Sequence, residues 1–168
     1  MLALVGCAIP AVDESKSKDA LEIAVTTQLG VNATFVEGDV VRLLVTLNRR
    51  AYVSAVLENA RGELQQLYPA IDVAGGTLHA AGVFQSIPAE GQGFPVVGPF
   101  GAETVWLVAS DRPLPNWLRR RAEEQSILVG TRTEWIADMD AYAATCDCRL
   151  ARTSVRFTTS AASFSWPP

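Results

Sequence analysis

Cys7 is the residue whose neighbours most clearly predict a chemical modification. It follows Leu4, Val5 and Gly6, which are two branched apolar residues and a small one. A cysteine in this setting is typical of a bacterial lipobox, where a peptidase cuts before the cysteine and lipid is attached to it. We therefore expect a mature protein that begins at lipidated Cys7 and is held at a membrane, stably if more than one acyl chain is attached.

The residues before Cys7 form only part of an export signal. Such a signal has a positively charged start and an apolar stretch of about 7–15 residues. No Lys or Arg precedes Cys7, and the apolar stretch is only Leu2 to Val5. A genuine lipobox then implies a natural start upstream of Met1, whereas the alternative is a chance apolar N-terminus. Ala8, rather than Asp, follows the cysteine, and by resemblance to lipoproteins of two-membrane bacteria this favours the outer membrane, on its periplasmic or surface side.

Cys146 and Cys148 form a second candidate site. With Cys7 lipidated they remain as an even pair, which suits an oxidising cell envelope. They can form a tight disulfide, bond to other cysteines, stay as inert thiols, or serve a metal or redox role. A structural zinc site needs more ligands and wider cysteine spacing than this pair offers, and His79 is the one histidine. We expect a disulfide or inert thiols, and no metal or other cofactor.

The remaining polar residues do not form a catalytic pattern. His79 lies beside Gly-rich turns, and we expect it at the surface. Ser110 follows a strand but lacks the glycines of a nucleophile elbow. An enzyme would need His79, Ser110 and a carboxylate in one pocket, so we expect a protein without catalytic activity.

Two segments are candidates for contact with a partner. The basic run beside Trp117 can attract acidic protein or lipid surfaces, although Glu123 and Glu124 offset its charge and favour a solvated helix face. The aromatic residues of the C-terminal tail can dock into a partner or cover an edge of this sheet. The predicted contact residues are Trp117, Arg119, Arg120, Arg121, Phe164 and Trp166.

Composition narrows the class of protein. A chain of 168 residues that is 49% hydrophobic and 19% charged is expected to fold as one globular domain. It has no apolar run long enough to span a membrane. Its net charge of -4 argues against nucleic-acid binding.

Most of the elements that position these residues are predicted strands. Alternating or continuous apolar patterns indicate strands at 20–27, 39–46, 51–57, 63–68, 77–80, 83–87, 104–109 and 151–159. Because residues 48–50 are too few for a parallel crossover, we expect strands 39–46 and 51–57 to pair as antiparallel neighbours. Residues 59–62 and Gly75-Gly76 predict turns, and residues 91–101 a loop.

Helices are predicted only after Ser110. Asn116 can cap a short helix through residue 126. Thr131 and Glu134 have the spacing of a capping box, and Trp135, Met139 and Tyr142 would share one face of a helix that ends near residue 144. The chain is therefore predicted to be mainly β, an antiparallel β-sandwich-like domain with one or two short C-terminal helices and a final strand. The predicted parts are a residual signal (1–6), the lipidated tether (7–19), the domain (20–159) and a tail (160–168).

The middle of the chain resembles a known family. The resemblance rests on Val36-Glu37-Gly38-Asp39, Arg50-Ala51-Tyr52-Val53, Gly62-Glu63-Leu64-Gln65-Gln66-Leu67-Tyr68-Pro69, Ile87-Pro88, Pro99-Phe100-Gly101-Ala102-Glu103 and Val108-Ala109-Ser110. In this order and spacing, about residues 35–115 are similar to the bacterial domain of unknown function 4384 family. The resemblance implies a mostly β fold found in envelope lipoproteins or beside kinase-like and peptidase-like domains. It implies no catalytic residues.

Together these observations predict a non-catalytic envelope lipoprotein. It would contact the membrane through Cys7 and bind a protein partner, as an accessory component of a secretion or surface assembly, and it would not bind nucleic acid. The alternative is a lipoprotein that binds a small ligand or glycan, using the Gly-rich loop 91–101 and Trp106.

Overall fold

A computed structural model describes residues 20–69, 77–115 and 128–162 of the chain. Within these residues it contains strands and one α-helix. In chain order the elements are β1 (Ile23–Thr27), β2 (Thr34–Val36), β3 (Val40–Val41), β4 (Leu43–Leu47), β5 (Ala51–Glu58), β6 (Leu64–Tyr68), β7 (Thr77–His79), β8 (Gln85–Ile87), β9 (Phe94–Pro95), β10 (Ala102–Ser110), β11 (Leu128–Gly130), α1 (Arg132–Thr145) and β12 (Leu150–Ser160). The structure confirms the prediction of a mainly β, sandwich-like fold with a helix and a final strand.

The smaller sheet has three antiparallel strands in the order β1-β4-β8. Val45 of β4 pairs with Val25 of β1 and with Gln85 of β8. Along β4 the buried residues alternate with half-buried ones, and the buried set is Leu43, Val45 and Leu47. This period of two gives the sheet one apolar face that must be covered.

The larger sheet has the order β11-β6-β5-β10-β12-β2, and β7 pairs with β5. The long strand β10 lies in the middle, antiparallel to both β5 and β12. Strands β6 and β7 pair with successive parts of β5, so they lie on the same side of it. Central strands carry apolar residues on both faces because both faces are covered.

The two faces of the larger sheet pack against different neighbours. Ala51, Val53 and Ala55 of β5 face the smaller sheet, in a core closed by the edge-to-face pair Phe35 and Phe157 at 5.5 Å between ring centroids. The opposite face packs Val56 and Val108 against Trp135 and Met139 of α1, as part of a second cluster. The layers are therefore the small sheet, the large sheet and the helix.

The capping box at the start of α1 is confirmed. The Glu134 amide donates to the Thr131 hydroxyl at 3.3 Å, and the Thr131 amide donates to the Glu134 carboxylate at 2.8 Å. These two bonds satisfy amides that a helix start leaves free. Trp135 and Met139 are buried and Tyr142 is half-buried, which confirms the predicted apolar face.

The predicted pairing of strands 39–46 and 51–57 is wrong. β4 belongs to the small sheet and β5 to the large one, so residues 48–50 cross from one layer to the other. A short connection excludes a parallel crossover, but it does not distinguish a hairpin from a step between packed sheets.

The predicted strand 39–46 is interrupted at Arg42. The Arg42 main-chain amide donates to the side-chain oxygen of Gln28, and the side-chain amide of Gln28 donates to the Val40 carbonyl. The side chain of Gln28 thus takes the place of a strand neighbour, and the segment divides into β3 and β4.

The large sheet is mixed rather than purely antiparallel. β2, which the sequence pattern did not predict, pairs in parallel with β12, joining Thr34 to Thr158 and Val36 to Ser160. β9 and β11 are two further unpredicted strands. β9 lies within the predicted loop 91–101 and pairs with β3, and β11 pairs with β6. The turn predicted at residues 75–76 and the helix predicted at 116–126 lie outside the described residues. In the described ranges no helix is long and apolar enough to cross a membrane.

Candidate functional site

A pocket of about 300 Å³ lies between the loop that follows β9 and the large sheet. One wall is the loop, and the other walls come from the β5–β6 hairpin, β10 and β12. The lining residues are Val41, Leu57, Asn59, Gln65, Gln66, Leu67, Phe94, Pro95, Val96, Val97, Gly98, Pro99, Glu103, Val105, Phe157 and Thr159. We call this the Glu103 pocket. Its volume lies at the lower end of the range for small-molecule sites.

The loop wall of the Glu103 pocket is attached to the sheet by backbone hydrogen bonds. β9 pairs with β3, and beyond it the Val96 amide donates to the Asp39 carbonyl at 2.9 Å. The chain approaches β3 so closely at Gly93 that an added Cβ would lie 2.7 Å from the Val40 Cβ. Glycine is therefore required there, and the loop is a preformed wall.

Glu103 is the charged group of the pocket. It lies on β10 two residues before Val105, on the face that packs against the small sheet, and it is 7% exposed. The Thr159 hydroxyl donates to its carboxylate at 2.8 Å. Burial raises the pKa of Glu103, and the hydrogen bond from Thr159 partly opposes that rise. The carboxylate can hold a cation or a hydrogen-bond donor in a pocket whose other lining residues are apolar or neutral; the neutral polar ones are Asn59, Gln65, Gln66 and Thr159.

No sequence motif marks Glu103 as a site residue. The available signal is its position in the strand, because Glu103 shares one face of β10 with Val105, Leu107 and Ala109, and these three residues are buried and apolar. An acidic residue in such a row must find a hydrogen-bond donor or a counter-charge.

His79 is buried, so its predicted surface position is wrong. It is 8% exposed, and its ring nitrogens lie 3.0 Å from the Tyr68 hydroxyl and 3.0 Å from the Gln85 amide oxygen. Burial lowers the pKa of His79, while the bond to Gln85 acts in the opposite direction. The histidine thus connects the large sheet, through Tyr68, to the small sheet, through Gln85.

His79 and Ser110 do not form a common site. Paired residues of an antiparallel sheet share a face. His79 pairs with Ala51, whereas Ser110 pairs with Tyr52, which is the next residue along β5. The two side chains therefore lie on opposite faces of the large sheet, and the Ser110 hydroxyl accepts from the Arg112 amide.

Loop 91–101 and Trp106 are likewise separated by the large sheet. The loop lines the Glu103 pocket beside Val105, while Trp106 belongs to the cluster on the helix side. The Trp106 indole donates to Glu58 at 2.8 Å, and the Arg132 guanidinium lies 4.6 Å from its ring centroid. Successive strand residues face opposite ways, so the joint site predicted for the loop and Trp106 is not formed.

Cys146 and Cys148 are joined by a disulfide in the loop between α1 and β12, with their Cα atoms 5.1 Å apart. The Cys146 amide donates to the Tyr142 carbonyl at 2.8 Å and closes the helix. Among the described residues, no group of three or more His, Cys, Asp or Glu side chains could hold a metal ion.

The other predicted site residues lie outside the part of the chain that the structure describes. They are Cys7, Trp117, Arg119, Arg120, Arg121, Phe164 and Trp166. Their predicted roles in lipidation and partner contact therefore stay predictions.

Comparison with known proteins confirms the family resemblance. Residues 34–113 match the model of a family described as a domain of unknown function (DUF4384). The match begins at β2 and ends just after β10, so α1 and β12 lie beyond it. All lining residues of the Glu103 pocket fall within it except Phe157 and Thr159. No curated protein and no solved structure matches the chain.

Proposed function

We propose that this chain is a non-catalytic protein-interaction component of the bacterial cell envelope, held at the outer membrane by lipid on Cys7. It would serve as an accessory part of a secretion or surface assembly. The lipobox residues and the family resemblance support the location. The observation that supports the interaction is an exposed apolar turn between β7 and β8.

That turn carries Val83 and Phe84, which are 52% and 75% exposed. Its position is set by the Gly82 amide, which donates to the Leu47 carbonyl at 2.8 Å, at the end of β4. An aromatic side chain held at a fixed point in water gains free energy when a partner covers it. We call Val83 and Phe84 the β7–β8 tip and propose that it docks into an apolar recess of a protein partner.

Capture of partners from membranes tests the interaction. The full-length protein, solubilised in mild detergent, should retain a specific partner that mass spectrometry identifies. The double variant Val83→Ser/Phe84→Ser should lose most of that partner, since about 2 kcal/mol of burial corresponds to a loss of more than tenfold in affinity. Leu29→Ser is the matched control, because Leu29 is 63% exposed on a different turn. Equal recovery with the double variant and the control would reject the tip as the docking site.

A separate experiment tests the membrane attachment. Cys7→Ser should move the protein from the membrane fraction to the soluble fraction, since it removes the acylated atom. Unchanged fractionation of this variant would reject the lipid anchor and leave the interaction proposal to be judged by the capture experiment.

Binding of a small ligand is the second candidate, and the Glu103 pocket favours it. A buried carboxylate beside a preformed apolar wall is a combination that ligand sites use. Stacking of a glycan on Trp106 is less well supported, because Glu58 already accepts from the indole and Arg132 covers its ring.

A further inference from the structure

The Glu103 pocket contains a buried carboxylate that has no counter-charge among the residues that the structure describes. Among the described residues no Lys, Arg or His forms an ion pair with Glu103, and Thr159 supplies its one hydrogen bond. Taking an ionised carboxylate out of water is costly unless a cation or several donors replace the water. A cation that entered the pocket would therefore gain an interaction that the protein itself leaves open.

The other lining residues determine which chemical group attached to that cation fits the pocket. Leu67, Phe94 and Val97 supply apolar wall, and among the described lining residues Glu103 is the one titratable side chain. Gln65 is exposed at the rim and offers a neutral amide. The amides of Asn59 and Gln66 already bond within the protein, so the pocket combines one acidic group with aliphatic and aromatic surface, which suits a cation at the end of a short hydrocarbon chain.

We propose that the Glu103 pocket binds a primary ammonium group carried on a short alkyl chain, with the ammonium beside Glu103 and the chain against Leu67, Phe94 and Val97. Such a group occurs in free small amines and in the lysine side chain of a partner protein. This inference rests on the ligand-binding candidate and does not depend on the lipid anchor or the β7–β8 tip.

The charge state of Glu103 makes the proposal sensitive to pH. Only the ionised carboxylate attracts an ammonium group, and burial raises the pKa of Glu103. Affinity should be full well above that pKa and should fall as the pH drops through it. The ammonium of an alkylamine stays protonated over this range, so the change in affinity reports on Glu103.

Titration of the full-length protein with n-pentylamine, followed by NMR, tests the proposal directly. At a pH well above the Glu103 pKa we expect saturable shifts at Leu67, Phe94 and Glu103. The alcohol n-pentanol has the same shape without the charge, and it should bind at least about tenfold more weakly. Equal affinity for amine and alcohol, or no saturable shift with the amine, would overturn the proposal without requiring any variant.

Two carboxylate variants complete the test. Glu103→Gln keeps an acceptor for Thr159 and removes the charge, so amine affinity should fall about tenfold or more and lose its pH dependence. Glu90→Gln removes an exposed carboxylate outside the pocket and should leave affinity within about twofold. Amine binding that survives Glu103→Gln would overturn the assignment.

A peptide probe distinguishes the two sources of the ammonium. A capped Gly-Lys-Gly peptide that binds more tightly than n-pentylamine would indicate a partner's lysine, because the flanking backbone adds contacts at the loop wall. A peptide that binds more weakly than the amine would indicate a free small molecule. A failure of all these titrations would leave the membrane-capture experiment unaffected, so the two proposals can fail separately.

Discussion

Replacing His79 with leucine should destabilise the protein by an amount that depends on pH. Leucine roughly preserves the side-chain volume but removes the bonds to Tyr68 and Gln85. Two net hydrogen bonds at about 1 kcal/mol each, plus partial desolvation of the groups left unpaired, give a loss of about 2–3 kcal/mol at neutral pH. For a chain of this size, that loss lowers the thermal midpoint by about 4–12 °C.

The pH dependence follows from the direction of the pKa shift. Burial lowers the pKa of His79 below its ordinary value of 6.5, so the unfolded chain takes up a proton at higher pH than the folded one. The stabilisation from His79 is then fully present above the unfolded pKa and is lost as the pH falls through the range between the two pKa values. One proton gives a slope of at most about 1.4 kcal/mol per pH unit.

Urea denaturation of both proteins, at pH values from about 4.5 to 8, measures this effect. The sequence contains one histidine, so the difference in free energy of unfolding between wild type and His79→Leu isolates its titration. Glu103 titrates in both proteins, and its contribution cancels. The control Tyr68→Phe keeps the imidazole, so it should lose about 1 kcal/mol and retain the acid slope. Parallel pH profiles for wild type and His79→Leu would refute the reasoning that His79 is buried in its neutral form.

Three further substitutions test the helix and the hairpin. Thr131→Ala removes one half of the capping box and should lower the free energy of unfolding by about 1 kcal/mol in urea denaturation. Thr133 makes no capping bond, so the control Thr133→Ala should cost less than about 0.5 kcal/mol. Equal effects of the two variants would show that the box does not stabilise the helix. Met139→Ala opens a cavity between α1 and the large sheet and should cost about 2–5 kcal/mol in thermal unfolding, and a loss below about 1 kcal/mol would contradict the burial of Met139. Asn59→Ala removes the side-chain acceptor for the main-chain amides of Arg61 and Glu63. It should lower the free energy of unfolding by about 1–2 kcal/mol and speed hydrogen exchange at both amides. Unchanged exchange would contradict these bonds.

The sequence predicted the elements better than their partners. The alternation in β12 and the capping box of α1 depend on neighbours within one segment, and the structure confirms both. The pairing of strands, in contrast, depends on which distant segment of the chain packs against the apolar face of each strand. The row 41, 43, 45 is equally consistent with a hairpin to β5 and with a separate sheet packed on β5, and only the whole fold selects the second.

The candidate site was harder to predict than the fold for the same reason. His79 lies in a polar Gly-rich sequence, and nothing local shows that Tyr68 and Gln85 will meet both of its ring nitrogens. The sequence suggests loop 91–101 and Trp106 as parts of one ligand site, but the two lie on opposite sides of the large sheet. Val105 is the residue that faces the loop, and a shift of one residue along a strand reverses the face.

Glu103 and His79 are both buried, and they change the free energy of unfolding with pH in opposite directions. Stability measured at different pH values can therefore report on the proposed pocket. Burial raises the pKa of Glu103 above its ordinary value of 4.5, so its contribution is fully present below that value and is lost as the pH rises through the folded pKa. The contribution of His79 to stability has the opposite pH dependence, because it is lost at acidic pH and returns as the pH rises toward neutrality. Above its raised pKa, the ionised carboxylate of Glu103 carries a desolvation cost that no Lys, Arg or His of the described residues offsets through an ion pair. A bound ammonium group would offset that cost, so stabilisation by an amine should appear above the Glu103 pKa and vanish below it, whereas a ligand held only by the apolar walls would stabilise the protein equally at both pH values.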